Sequence, residues 1–391
     1  MKIILIPMLP TLYGRRYQLS KHLAASGNEV HMILWHMPYP ITLQNIKIGL
    51  KSSWKKYSYV QDGINIHKVS RLPFFFPFVN RYWFHKQINS IASEFGIQAI
   101  ISQAFFNEVE PPTNLPLYFD LNDNYEAYAR IYGSRAYKLS YKLLRVRHTV
   151  EQQLRRSTAV FAVSDILLNY AKQFNNNVYK IPNGVELVKP SLMPKKLKYG
   201  EHSLVYVSTF GKWSMILNVI KTIDKLKSKY PDIQLVLIGG GTEIKAAEQL
   251  IKNKNIQSNV HLIGPLYDRS KVFEIIKNCK VCLNISDKNE FRDSASPIKI
   301  FEYSSLGKTI VSTNMNEVVS LALPNVITYT ADKQSIQLES AIVKAFKTRR
   351  DNLDVQRKIA ANYSWDVLTD QMLAIINQAY PRVNNDKDIL Q

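Results

Sequence analysis

The chain has 391 residues, 46% of them hydrophobic and 21% charged, which suits two soluble domains of roughly 150–200 residues better than one core. No apolar run approaches the ~20 residues that span a bilayer, no signal-peptide cleavage pattern follows the opening run, and no period of about 20–50 residues marks a solenoid; a cytoplasmic protein is expected. The excess of 51 Lys and Arg over 31 Asp and Glu gives +20, and it is shared by residues 1–186, with 22 basic and 11 acidic, and the remainder; such a field favours a polyanion, whether nucleic acid, an anionic membrane face or a phosphorylated substrate.

Short apolar runs alternate with amphipathic helical patterns from the first residue, the mark of βαβ units and parallel sheets. Lys2–Ile6 reads as a strand, followed by a loop through Gly14, a helix over about Arg16–Ser26 closed by Gly27, and a strand at Glu29–Leu34. Further strands are expected at Ile64–Val69, Ala99–Ser102, Leu117–Leu121, Ala159–Val163 and Val178–Ile181. Between them, Leu72–Phe78 is an aromatic cluster that includes Phe75 and Phe76, and Arg81–Lys86 interleaves cations with Trp83. Arg135–Arg156 carries seven basic residues and one acidic residue on a helical pattern.

The pattern breaks at Pro182-Asn183-Gly184 and the Lys- and Pro-rich stretch Leu187–His202, a linker signal. It then restarts: strand Leu204–Ser208, helix from Trp213, strand Ile233–Ile238, helix from about Glu243, strand Val260–Ile263, helix Asp268–Lys277 and strand Val281–Ile285. A polar loop, helix Ile298–Ser305, strand Thr309–Ser312 and a final helix over about Trp365–Ala379 complete it. The expected fold class is α/β, with two Rossmann-like doubly wound domains, 1–186 and 187–365, facing across a cleft. Residues 366–391 form a C-terminal helix that crosses back to the first domain. The two cysteines, Cys279 and Cys282, have a C-x-x-C spacing, but zinc needs two further ligands that no Cys/His pair supplies, and the segment reads as a helix end entering a buried strand. Free thiols fit a reducing compartment.

The most informative segment is Ser296-Pro297-Ile298-Lys299-Ile300-Phe301-Glu302-Tyr303-Ser304-Ser305-Leu306-Gly307-Lys308. Ser296 suits an N-cap and Pro297 a first helical residue, so the helix offers unpaired N–H groups and its positive end to an anion such as a diphosphate. Glu302, about one and a half turns in, is placed to accept from ribose hydroxyls. This segment resembles the donor-binding signature of the GT-B retaining glycosyltransferases, in particular family GT4 (glycosyltransferase group 1). Other landmarks follow in the family's order: Phe161-Ala162-Val163-Ser164, the hinge-like Ile181-Pro182-Asn183-Gly184-Val185-Glu186, a phosphate loop at Tyr206–Trp213, Leu237-Ile238-Gly239-Gly240-Gly241, and Tyr363-Ser364-Trp365. The likeness spans essentially the whole chain and weakens over Met1–Pro116. Two departures stand out. The family's first glutamate falls on Ser294, with Glu290 or Asp293 as alternatives, and Trp213-Ser214 stand where Lys-Gly is frequent.

The resemblance implies transfer of a sugar from a UDP-, GDP- or ADP-sugar to a hydroxyl of a glycan or lipid-linked acceptor, with retention of configuration and no metal or cofactor. Helix N-termini and cations neutralise the phosphates instead. It implies a donor site of Gly14, Gly211, Lys212, Gly240, Ser296, Pro297, Ile298, Lys299 and Glu302. Asp120 and Asp123, at a strand end, are candidates to orient or deprotonate the acceptor together with Glu302 and Ser294 as catalytic positions; the alternative for the aspartates is a turn role. Arg15 and Arg16 are candidate contacts to an anionic acceptor, and Phe75, Phe76, Trp83 and the basic 135–156 stretch suit docking on an anionic membrane face. The rivals are a non-catalytic relative that binds a nucleotide sugar, a sugar-nucleotide epimerase, and a nucleic-acid-binding protein. The last lacks a binding module, and its charge is spread rather than striped.

Overall fold

The computed structural model describes residues 1–7, 12, 14–35, 56–69, 77–103, 115–143, 145–187, 196–331, 336–348 and 353–388. Phe75 and Phe76 lie outside them. The chain forms two compact units, 1–183 with 365–391, and 184–364. In the first, strands β1 (Lys2–Ile6), β2 (Glu29–Trp35), β3 (Tyr57–Gln61), β4 (Ile64–Val69), β5 (Ala99–Ser102), β6 (Leu117–Leu121), β7 (Ala159–Ala162) and β8 (Val178–Lys180) make one sheet, in the order β3-β4-β2-β1-β5-β6-β7-β8. Every pairing is parallel except β3 with β4. That hairpin went unread, although its turn, Asp62-Gly63 with φ of 50° and 75°, carries the Asp-Gly signature of a two-residue hairpin loop.

Burial explains the assignment of the other strands. β1, β5, β6 and β7 are almost wholly buried, so their sequences are predominantly apolar, with Ser102 and Asp120 as the buried polar exceptions. One face packs against the helix Arg15–Ala25 and the C-terminal helix Trp365–Asp388, whose Trp365, Leu368, Met372 and Ile376 share a core with Ile3, Leu19, Ile66 and Tyr118. The Tyr118 hydroxyl donates to the Ile376 carbonyl at 3.2 Å. The basic stretch is not one helix. It breaks into Arg135–Leu143 and Val146–Arg156, with Arg145 between them at φ 49°.

The second unit holds a wholly parallel sheet of β9 (Ser203–Val207), β10 (Gln234–Ile238), β11 (Val260–Gly264), β12 (Val281–Asn284), β13 (Thr309–Thr313) and β14 (Val326–Tyr329), ordered β11-β10-β9-β12-β13-β14. β9 lies at the point where the order reverses, and in such sheets ligands bind beyond the strand C-termini at that point. Val185 and Ser364, at the two ends of this unit, form a parallel bridge, and the Val185 N–H donates to the Tyr363 carbonyl at 2.9 Å. Cys279 and Cys282 are buried here, with burial pushing both thiols well up, Cys282 to about 12; among the described residues no group of His, Cys, Asp and Glu is arranged to hold a metal.

Candidate active site

In the second unit, the loop after β9 is knitted to the turn after β10. Ser208 N–H donates to Ile238 O at 3.0 Å, Phe210 N–H to Gly240 O at 2.8 Å, and Glu243 N–H to Phe210 O at 2.9 Å. So close an approach demands glycine. A Cβ on Gly239, whose φ is 141°, would stand 1.8 Å from the Ser208 carbonyl oxygen. The expected helix from Trp213 is only a 3₁₀ turn, Lys212–Ser214, before the helix Ile216–Leu226 begins. The Trp213 ring lies so close over Gly211 that any side chain there would meet it at 2.4 Å. Lys212 is exposed.

Across this loop lies the helix Ile298–Ser305. Pro297, not Ser296, occupies its N-cap position; Ser296 is buried one residue earlier. Lys299 in the first turn is half-buried, its ammonium donating to Ser208 Oγ at 3.2 Å and lying 5.5 Å from the Tyr206 ring centre. Burial, then the charge of Arg292, lower its pKa to about 8, with Glu302 opposing. A cation held down in this way is favoured again once an anion arrives. Glu302 is half-buried and accepts from the exposed Arg269. Arg269 and Arg292 were not singled out from the sequence. Arg292 lies 5.7 Å from the Trp213 ring centre, a contact between separate elements that no spacing reveals.

Ser294 is fully buried, and its hydroxyl donates to the Phe291 carbonyl at 2.8 Å at the end of the short helix Glu290–Asp293. Of the alternatives, Asp293 accepts from the Asn316 N–H at 3.1 Å, and Glu290 is exposed.

In the first unit, Gly14 is the N-cap of the first helix at φ 75°. Arg15 and Asp120, expected as separate acceptor contacts, instead bind one another. Arg15 is 6% exposed and Asp120 0%. The guanidinium donates through Nε to Oδ1 and Oδ2 at 3.1 and 3.0 Å and through Nη2 to Oδ1 at 2.8 Å. Gln103 Nε2 donates to Oδ2 at 2.5 Å. Asp120, expected to orient or deprotonate an acceptor, is thus buried and hydrogen-bonded to Arg15 and Gln103. Asp123 is half-buried, and its charge and that of Asp120 add to burial in raising the Tyr125 pKa well above normal. Arg16 is buried and acts on Tyr125 in the opposite sense. Trp83 is half-buried on the helix Pro77–Phe95, facing a cavity of about 660 Å³ beside β3 and β4.

Comparison with solved structures decides the architecture. Anabaena HepE, in complex with UDP, aligns over 97% of this chain and 100% of its own at 13% identity, with a TM-score of 0.67. The fold is GT-B. S. aureus TarM, in complex with fondaparinux, α-GlcNAc-glycerol and UDP, shares that GT-B fold at 11% identity and TM-score 0.66, over 96% of this chain and 100% of its own. Residues 189–362 match the family model of glycosyl transferases group 1, so the glycosyltransferase pattern falls on the GT-B unit that carries Lys299 and Glu302. N-acetyl-α-D-glucosaminyl L-malate synthase of Bacillus anthracis is 27% identical over 156 residues, 37% of this chain. The chain spans 39% of the length of that curated relative. The family-model match supports glycosyl transfer.

Proposed function

We propose that the protein is a retaining, metal-independent glycosyltransferase that moves a sugar from a nucleotide sugar to a hydroxyl of a glycan or lipid-linked acceptor. The observation that carries this reading is Lys299, half-buried against the loop after β9 with its ammonium on Ser208 Oγ and its pKa lowered to about 8, one turn before Glu302. The helix N-terminus, Lys299 and Lys212 would take the diphosphate and Glu302 the ribose. In the reaction, the bond from the anomeric carbon to the diphosphate oxygen breaks and the acceptor oxygen bonds to the same face. The acceptor proton passes to the departing diphosphate oxygen, and the remaining charge of the nucleoside diphosphate is met by those groups. That the proteins in complex with UDP share this fold favours UDP-sugars as the first donors to try.

On this reading the first unit is the acceptor-binding unit, with Asp123 as its candidate acceptor contact. It docks on an anionic membrane face through the helix Arg135–Leu143, where exposed Tyr137, Leu139 and Leu143 stand among Arg135, Lys138 and Lys142. Among the described residues no helix is long and apolar enough to cross a membrane.

The test is thermal stabilisation and hydrolysis with a panel of UDP-, GDP- and ADP-sugars, comparing wild type with Glu302→Ala. A nucleotide-selective stabilisation of about 2.7 kcal/mol at a hundredfold excess over Kd, lost in the variant, supports the site. No stabilisation by any sugar nucleotide overturns it. A second reading, a relative that binds a nucleotide sugar without transferring it, is favoured by the buried Ser294. Binding without acceptor-dependent turnover would select it. Flotation with vesicles that shows no preference for anionic lipid would overturn the docking.

A further inference from the structure

The cavity of about 660 Å³ lies wholly within the first unit, between the hairpin of β3 and β4 and the helix Pro77–Phe95. Its size is that of a small-molecule site. Three cations line it, Lys56, Lys68 and Lys86, against one carboxylate, Glu94. Lys68 is half-buried and burial lowers its pKa, a penalty that an anion beside it offsets. On the wall the hydrogen bonds have a fixed sense. His31 and His67 are buried, and burial lowers both pKa values, His67 to about 4, so both rings are neutral at pH 7. The Glu29 carboxylate, held below the usual range by Lys2 and His31, has no proton to give, so His31 Nε2 donates to it at 3.0 Å. The bare His31 Nδ1 then accepts from His67 Nε2 at 2.8 Å, and the bare His67 Nδ1 accepts from the Ser58 hydroxyl at 2.9 Å. Ser58 turns its proton inward and offers the cavity only oxygen lone pairs.

We propose that this cavity binds an acidic saccharide. Its walls make three demands. The lysines call for carboxylates or other anionic groups, and the Ser58 oxygen calls for a hydroxyl donor. The half-buried Trp83 calls for an apolar face, which the C–H side of a sugar ring supplies. A bare inorganic anion answers only the first demand, and a neutral sugar only the other two. The inference concerns the first unit alone and does not rest on glycosyl transfer.

The experiment is titration calorimetry of the full chain with tri-galacturonic acid, with maltotriose and inorganic phosphate as comparison probes. The variants are Lys68→Met/Lys86→Met, Ser58→Ala and, as a control for general charge, Lys221→Met/Lys252→Met, two exposed lysines of the second unit. All the altered side chains are exposed or half-buried, and thermal melts verify that each variant is folded. Wild type should bind the acidic trisaccharide at least about tenfold more tightly than either comparison probe. The Lys68/Lys86 variant should weaken binding about tenfold and Ser58→Ala about threefold, with the control within about twofold of wild type. An equal loss in the control would reduce the effect to net charge and overturn the proposal. Phosphate binding as tight as that of the trisaccharide would make the cavity a simple anion site and also overturn it. A folded Ser58→Ala of unchanged affinity removes the hydroxyl demand, and the saccharide assignment falls with it. No binding of the trisaccharide to wild type overturns it outright.

Discussion

Replacing Lys299 by Met should make the protein more stable and worse at binding nucleotide. The ammonium donates to Ser208 Oγ at 3.2 Å and has Arg292 as a like-charged neighbour, with Glu302 opposing. A pKa lowered from 10.5 to about 8 corresponds to a cost of about 3 kcal/mol for keeping the charge in the folded protein. Lys299 is partly open to water, so screening reduces this to on the order of 1–2 kcal/mol. Methionine keeps the aliphatic stem and sheds that cost, which should raise the Tm of a unit of this size by about 2–8 °C at pH 7. The same change removes a charge-assisted contact to the diphosphate worth about 1.5–3 kcal/mol, or about 10- to 150-fold in Kd. The pH dependence is a second signature. Between pH 8 and 10.5 the unfolded chain holds a proton that folded Lys299 has released, so wild-type stability gains a rising contribution across that window, absent in Lys299→Met. Nucleotide affinity should fall over the same range as the ammonium becomes neutral. Scanning calorimetry and titration calorimetry from pH 7 to 10 test both. A less stable variant, or one with unchanged nucleotide affinity, would refute the reasoning.

Three further outcomes are expected. Arg269→Ala should free Glu302 for the ribose; the exposed pair is worth at most about 1 kcal/mol, so titration calorimetry should show nucleotide binding tightened by up to about fivefold, and weakened binding would make Arg269 a ligand contact instead. Gly239→Ala should destabilise the second unit by at least about 3 kcal/mol, read by urea melts, because its Cβ would stand 1.8 Å from the Ser208 carbonyl oxygen; a neutral substitution would mean the loop is not knitted as described. His67 is buried beside His31, and burial, then the His31 charge, lower its pKa to about 4. The unfolded chain takes up that proton near pH 6.5, so stability is full above pH 6.5 and falls toward pH 4. His67→Phe should flatten that part of the melt-against-pH curve.

What the sequence by itself determined is what depends on local pattern. The strand order could not be read, but the existence of β1, β5, β6, β9, β10 and β12 could, because strands covered on both faces are mostly apolar. The helix at Ile298–Ser305 was legible because Gly307, at φ 66°, has to end it. The Lys299 and Glu302 pair came with that helix, since their spacing follows from the helical repeat. Two of the four edge strands were missed: β3, whose pattern is polar and aromatic, and β14, a run of only four residues. Only the tertiary structure decided the fate of the charges. Arg15 and Asp120 each looked like a group offered to an acceptor, and 105 residues of separation hid that they satisfy one another. Ser294 proved buried, and Arg269 and Arg292 came to the site from other elements. A buried charge must find its partner in space, and partners in space are set by how the sheet orders its strands, which no window of sequence contains.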